Sequence, residues 1–279
     1  MEISTKILEN KLKVYKSDRF DLQDASYLSL FLYPNSIQIF TKDENENTIC
    51  IHSYHSLNSD SLEKLILTDP LLRADIPAKI YLHSPYFALV PGVLYQPGKE
   101  AIYLEFAGKT LDNPFYFNTA LDSNNLQVLS GISGKLFRTL SARFSELSFH
   151  HGSVSFLSYL FKERFNLIGQ EILIYFFDGN MYSAAFTDQE LSIFNIFEIN
   201  SLEDILKYLL ILVKQLEYNR NLVRISVFNE PDPKGINEEW GKSYFNNFRM
   251  IQASANQSYT HGFKNLKHLS LFEVNWQFV

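Results

Sequence analysis

The chain has 279 residues, 46% hydrophobic, 15% aromatic and 20% charged, with a formal net charge of -6. That much apolar surface can fill one large core or two ordinary ones and excludes general disorder, while an acidic balance without a run of Lys or Arg excludes the footprint of a non-specific nucleic-acid binder. Residues 1–11 carry Glu2 and Glu9 instead of an export signal, the apolar run 208–213 is far shorter than the roughly 20 residues that span a bilayer, and the lone Cys50 permits neither a disulfide nor a thiolate cluster, so a cytoplasmic protein without membrane insertion is expected.

The first clear pattern is apolar alternation over residues 28–33 and 36–40 on either side of Pro34-Asn35, which predicts a hairpin. Residues 42–47 turn the chain and 49–54 supply a third strand. Asn58 or Ser59 then caps a helix containing Leu62, Leu65 and Ile66, and residues 79–82 read as a fourth strand. Residues 87–95 form a strand interrupted by Pro91-Gly92, 98–106 a short helix, and 115–120 with 126–129 a hairpin around Asp122-Ser123-Asn124. Helices are expected over 135–144 and 153–165, with a strand over 147–150 between them.

The opening order returns from Leu28 to Ile172, 144 positions on. Residues 172–177 and 181–186 form a hairpin around Asp178-Gly179-Asn180, Asp188-Gln189 turns the chain, and 191–196 is a third strand. Ile199-Asn200-Ser201, the counterpart of Leu57-Asn58-Ser59, opens a helix with Leu202, Ile205, Leu206, Leu209 and Leu212 on its apolar face. Residues 222–228 give the fourth strand, 231–235 a loop, 238–248 a helix, and 250–253 with 269–278 either further strand or a segment that packs across the domain boundary. The expectation is one α/β unit used twice: an N-terminal extension over 1–26, a first lobe over 27–168 and a second over 169–279.

Two halves that each begin with a three-stranded antiparallel meander, then helix and strand, resemble the actin-like ATPase superfamily, whose two lobes are ribonuclease-H-like. More narrowly, Phe87-Ala88-Leu89-Val90-Pro91, the hairpin at 115–120 and the stretch Phe144-Ser145-Glu146-Leu147-Ser148-Phe149-His150-His151 look like a bacterial domain family of unknown function with that fold. The resemblance implies a glycine-rich phosphate turn in each opening hairpin and an aspartate that helps hold a metal. The chain departs from this. Its first turn, Tyr33-Pro34-Asn35-Ser36, has no glycine, and Pro34 has no N–H to offer an anion. The second turn keeps an acid and a glycine, so Asp178, Gly179 and Asn180 are the candidate cofactor-binding residues, although Asp-Gly is equally an ordinary hairpin signal.

Other motifs carry less. Gly131-Ile132-Ser133-Gly134-Lys135 is too short for a phosphate loop, has Leu136 where Ser or Thr should follow, and reads as a helix entry; Ser133 lacks the spacing of a nucleophile elbow. His150 and His151 alternate on a strand and cannot share one ion, and His52 and His55 likewise face opposite sides. Phe31 and Tyr175 stand where a ribonuclease H would place carboxylates. Phe245, Phe248, Trp276 and Phe278 are interface candidates, with a core role the stronger reading. No catalytic or metal residue is expected. The leading expectation is a non-catalytic protein-binding or scaffold module with a protein partner and no nucleic acid. The alternative is a divergent nucleotide-binding ATPase or small-molecule kinase using ATP with Mg at Asp178.

Overall fold

In the computed structural model, residues 12–57, 61–107, 111–228, 235–263, 269 and 271–278 are described. They fall into two compact units, Met1–Val154 with Gln257–Leu266 and Ser155–Asn256 with Lys267–Val279. The cap expected at Asn58 or Ser59 and most of the loop 231–235 lie outside the described residues.

In the first unit, β1 (Leu12–Lys16), β2 (Tyr27–Leu32), β3 (Ile37–Lys42) and β4 (Asn47–Tyr54) precede helix α1 (Ser61–Thr68) and β5 (Ala78–Leu82). Next come β6 (Phe87–Pro91), α2 (Glu100–Leu104), β7 (Phe115–Leu121), β8 (Leu126–Ile132), α3 (Gly134–Ser141) and β9 (Leu147–His151). The main sheet runs β1-β4-β3-β2-β5-β9, antiparallel as far as β2 and parallel from β2 to β9. Strand β2 is buried on both faces, as a central strand covered on each side must be. Leu28, Leu30 and Leu32 meet Leu62, Leu65 and Ile66 of α1 and Leu140 of α3. Phe31 points the other way, stacked on Tyr81 at 4.5 Å and edge-on to Phe40 at 5.4 Å. A small antiparallel sheet, β6-β8-β7, closes with α2 around Tyr86, Val90, Leu104 and Leu129. Ser133 caps α3, its Oγ accepting the Leu136 N–H, so the glycine-flanked segment is a helix entry as read.

In the second unit, α4 (Ser153–Glu163) is followed by β10 (Gln170–Phe177), β11 (Asn180–Thr187), β12 (Glu190–Glu198), α5 (Leu202–Gln215), β13 (Arg224–Phe228), α6 (Glu238–Lys242) and β14 (Asn247–Ile251). Strand β15 (Ser258–Tyr259) returns to pair with β4 in the first unit, and α7 (Phe272–Asn275) completes the second. The sheet order β12-β11-β10-β13-β14 repeats the order β4-β3-β2-β5-β9, with the same change from antiparallel to parallel. Ile172 and Ile174 face Ile205, Leu209 and Leu212 of α5. Tyr175, Tyr182 and Phe228 face Phe156 of α4, and Phe272 of α7 packs on Phe156, Tyr175 and Phe228.

Two expectations are corrected near the C-terminal end. The helix over 238–248 stops at Lys242, and Phe248 lies in β14. A Cβ on Gly241 would sit 2.1 Å from the Phe248 Cγ, so the ring of one element lies directly on the glycine of the other. Residues 269–278 do not form the expected strand: the short helix α7 places Phe272 and Trp276, four apart, on one side, 5.5 and 5.3 Å from the Tyr159 ring. Phe245, Phe248 and Trp276 are 1%, 2% and 7% exposed and so take the core role, the stronger of the two readings; Phe278 is half-buried.

Candidate functional site

In sheets with parallel central strands, ligands bind beyond the carboxyl ends of those strands, where helix N-termini and turns present N–H groups. In the first unit the chain leaves β2 through Tyr33, β5 through His83 and β9 through His151, with Leu82 and His151 paired across the sheet. The Tyr33 ring stacks on His83 at 4.1 Å and the Phe87 ring on His151 at 4.5 Å. A Cβ on Gly152 would lie 2.3 Å from the His83 Cγ, so that imidazole rests on bare backbone. Tyr33, His83 and His151 are all buried. What ends the parallel strands of this unit is a packed set of rings.

The imidazoles are held neutral. His151 Nε2 faces the Ser84 carbonyl at 2.8 Å and so carries the proton it donates, leaving Nδ1 to accept from the Ser153 hydroxyl at 2.7 Å. Burial lowers its pKa to about 4, against a smaller raising effect of the Ser84 carbonyl. Burial, then proximity to His151, pushes His83 well below the ordinary histidine range. His150 projects to the opposite face, as strand alternation requires. It meets the Thr119 Oγ1 at 2.9 Å and stacks on Tyr81, with its pKa lowered to about 4 by burial and Lys79. Neutral, enclosed rings give an anion no charge to pair with and give a substrate no reachable acid or base.

In the second unit, β10 passes to β11 through Asp178 at φ 41° and Gly179 at φ 75°, with Phe177 and Asn180 paired across the turn. Two consecutive left-handed residues make a type I′ hairpin turn, which is why Asp-Gly is found here. The Ile199 N–H donates to the Gly179 carbonyl at 2.8 Å, and the Asn180 side-chain amide to the Asp178 carbonyl at 3.1 Å. The three candidate residues therefore come together in one turn.

Two buried carboxylates escaped the sequence reading. Asp69, which follows α1, accepts from His52 Nδ1 and the Tyr54 hydroxyl, each at 2.6 Å, and from the Leu71 and Leu72 N–H groups. Burial raises its pKa, but the His52 hydrogen bond and charge, the Tyr54 hydroxyl and the Leu72 N–H outweigh it, so the carboxyl stands below its ordinary value. Glu171 in β10 is paired with Arg224 of β13 and Arg249 of β14, and accepts from the Ser226 hydroxyl at 2.6 Å. Both carboxylates spend their lone pairs on neighbouring protein donors, Asp69 on β4 and the turn after α1 and Glu171 on its own sheet. Among the described residues, no group of three His, Cys, Asp or Glu side chains is arranged to hold a metal ion, and no helix is long and apolar enough to cross a membrane.

Residues 17–248 match the model of a family described as "Protein of unknown function (DUF3822)". No curated protein matches the chain. A crystal structure from Bacteroides thetaiotaomicron VPI-5482, described as a protein with actin-like ATPase fold and unknown function, is similar with a TM-score of 0.75 at 18% identity, covering 91% of this chain and 98% of that one. A type IV pilus biogenesis complex, PilM-PilN, is similar with a TM-score of 0.50 at 8% identity, over 82% and 88% of the two chains. The fold is thus the actin-like ATPase fold, with its ribonuclease-H-like sheets.

Proposed function

We propose that this chain, which belongs to the DUF3822 family of proteins of unknown function, is a non-catalytic actin-like module that binds another protein instead of turning over a nucleotide. The observation that carries the reading is the closure of the first unit's strand ends by Tyr33, His83, His151 and Phe87, where a phosphate would need free N–H groups. Pro34 in the first turn supports it, as does the common strand order of two lobes, residues 27–168 and 169–279, kept without a matching pair of phosphate turns. A protein partner is supported by analogy with PilM-PilN, a complex of two proteins on a similar fold. The buried free thiol of Cys50 fits a reducing compartment, the cytoplasm.

Thermal-shift measurement with Mg-ATP, Mg-GTP and ADP tests this. A ligand present at a hundredfold its Kd stabilises by about 2.7 kcal/mol, which moves a melting temperature by several degrees. The expected result is no shift with any of the three. A specific shift overturns the reading in favour of the divergent ATPase or kinase. Its candidate site is the acid and glycine kept at Asp178 and Gly179, so Asp178→Asn, which tolerates the left-handed turn, should then abolish the shift while leaving the melt without ligand unchanged.

A further inference from the structure

We infer that the second unit binds its partner by strand addition: an extended segment of another protein, with a lysine or arginine at each end, pairs along the outer edge of β12. The inference rests on the protein-binding reading above and names the chemistry of that partner. It comes from equivalent edges of the two sheets. In the first unit the outer edge of β4 is paired along its length, by β1 from Cys50 to Tyr54 and by β15 at Asn47 and Thr48, with the Ser17 N–H donating to the Ile49 carbonyl between them. The counterpart of β4, strand β12, ends its sheet, and among the described residues no strand lies beyond it. The opposite end of that sheet is blunted. There β14 is 5 residues long, and the Met250 N–H donates to the Glu238 carboxylate of α6.

Strand β12 lacks the usual protection of an edge. It is 9 residues long, has no proline, glycine or lysine, and leaves Leu191, Ile193, Ile196 and Phe197 only half-buried. A bulge at Ser192 interrupts its pairing near one end, while Ile193 to Glu198 keep unbroken register with β11. An edge of that length and composition pairs with stray extended chains unless a dedicated strand covers it. Two bonds fix which backbone groups face out. The Ile199 N–H donates inward to the Gly179 carbonyl, so by alternation those of Ile196 and Glu198 point away from β11. The Ile196 N–H donates to the exposed side chain of its neighbour Asn195 at 2.8 Å, a local bond that an entering carbonyl can displace. Charge then selects the occupant. Exposed Glu190 and Glu198 stand at the two ends of β12, and neither forms an ion pair among the described residues. A second copy pairing antiparallel through its own β12 would set Glu190 against Glu198 at both ends, and like charges opposed across strands destabilise the pair. A strand with a cation at each end makes both contacts favourable.

The test is fluorescence anisotropy with the full chain and a labelled peptide, Lys-Thr-Val-Thr-Val-Thr-Val-Thr-Lys. Beside it run the same peptide with glutamate at both ends and one N-methylated at every backbone amide. Variants are Ile196→Pro, which removes an outward N–H and no bond to β11, and Glu190→Lys/Glu198→Lys. Glu217→Lys/Glu239→Lys makes the same charge change at other exposed positions of the second unit. The inference expects saturable binding of the lysine-ended peptide, none of the methylated one, and a loss of at least about tenfold in Ile196→Pro, equivalent to about 1.4 kcal/mol. Glu190→Lys/Glu198→Lys should reverse the preference toward the glutamate-ended peptide, while the control changes either affinity by no more than about twofold. Failure to saturate overturns it, as does equal binding of the methylated peptide or an equal effect of the edge variant and the control. A dimer in sedimentation that Ile196→Pro dissociates also overturns it, by making the edge a contact between copies of this chain. Should Ile196→Pro not fold, the charge reversal decides alone. Nucleotide stabilisation would sink the non-catalytic reading without altering the peptide titration, so the two failures are separable.

Discussion

At Gly152 the absence of one carbon decides how two strands end. A methyl there would fall within 2.3 to 2.5 Å of three atoms of the His83 ring, and that ring is itself stacked on Tyr33. The glycine has no left-handed φ to excuse it, so the requirement is space and not backbone freedom. Gly152→Ala should therefore cost about 1–3 kcal/mol, the usual penalty for forcing an extra carbon into a packed core, and lower the melting temperature by several degrees. If the His83 ring is the obstacle, His83→Ala combined with Gly152→Ala should lose less than the sum of the two single variants. Strict additivity in thermal melts would show that the strain lies elsewhere.

At the scale of elements, α5 shows how far local chemistry reaches. Ser201 at φ -149° accepts the Asp204 N–H, and Asp204 reaches back to accept the Asn200 N–H at 3.0 Å, a reciprocal cap behind the buried Ile199. Ser201→Ala should cost about 1 kcal/mol and Ser201→Gly only a few tenths, read as shifts of the denaturation midpoint. Caps of this kind and the alternating hairpins are legible in the sequence because their signals lie within a few residues. Trp240, Tyr244 and Phe248, spaced by four, fit a continuous helix as well as a helix followed by a strand. What ends the helix is contact between Gly241 and Phe248. Strand β1 carries only two half-buried residues among exposed ones, and its register comes from β4, not from a pattern of its own. The buried carboxylates lie beyond local reading for a related reason: His52 and Asp69 are 17 positions apart, and Glu171 is 53 from Arg224 and 78 from Arg249. Asp178-Gly179 was legible as a turn from two letters. The meeting of His83 with His151 was not, because parallel pairing of β5 with β9 creates it.

At the scale of the molecule, buried histidine among the described residues is confined to one unit, which should make acid act unevenly. His83, His150 and His151 belong to the first unit, and the described residues of the second include no histidine. In the unfolded chain these side chains take up protons as pH falls through the ordinary value of 6.5, while in the folded chain His150 and His151 wait until about 4 and burial holds His83 well below 6.5. Between those values the unfolded state binds more protons, so the first unit's stability is full above 6.5 and drains as pH drops, by up to about 1.4 kcal/mol per pH unit for each histidine. Three such groups acting together can remove several kcal/mol, a large part of a domain's total of about 5–15 kcal/mol. Asp69, whose folded pKa is depressed, takes over at still lower pH, its contribution being lost as pH falls through that folded value. Because the units need not unfold together, a single melting temperature would blur the effect. Hydrogen exchange resolved by peptide, corrected for intrinsic rates and compared between pH about 7 and about 5, separates them. Protection should fall in β2, β5 and β9 while β10 and β13 keep theirs, and His83→Phe should soften the fall. Parallel losses in both sheets would mean that the histidines do not set the acid response.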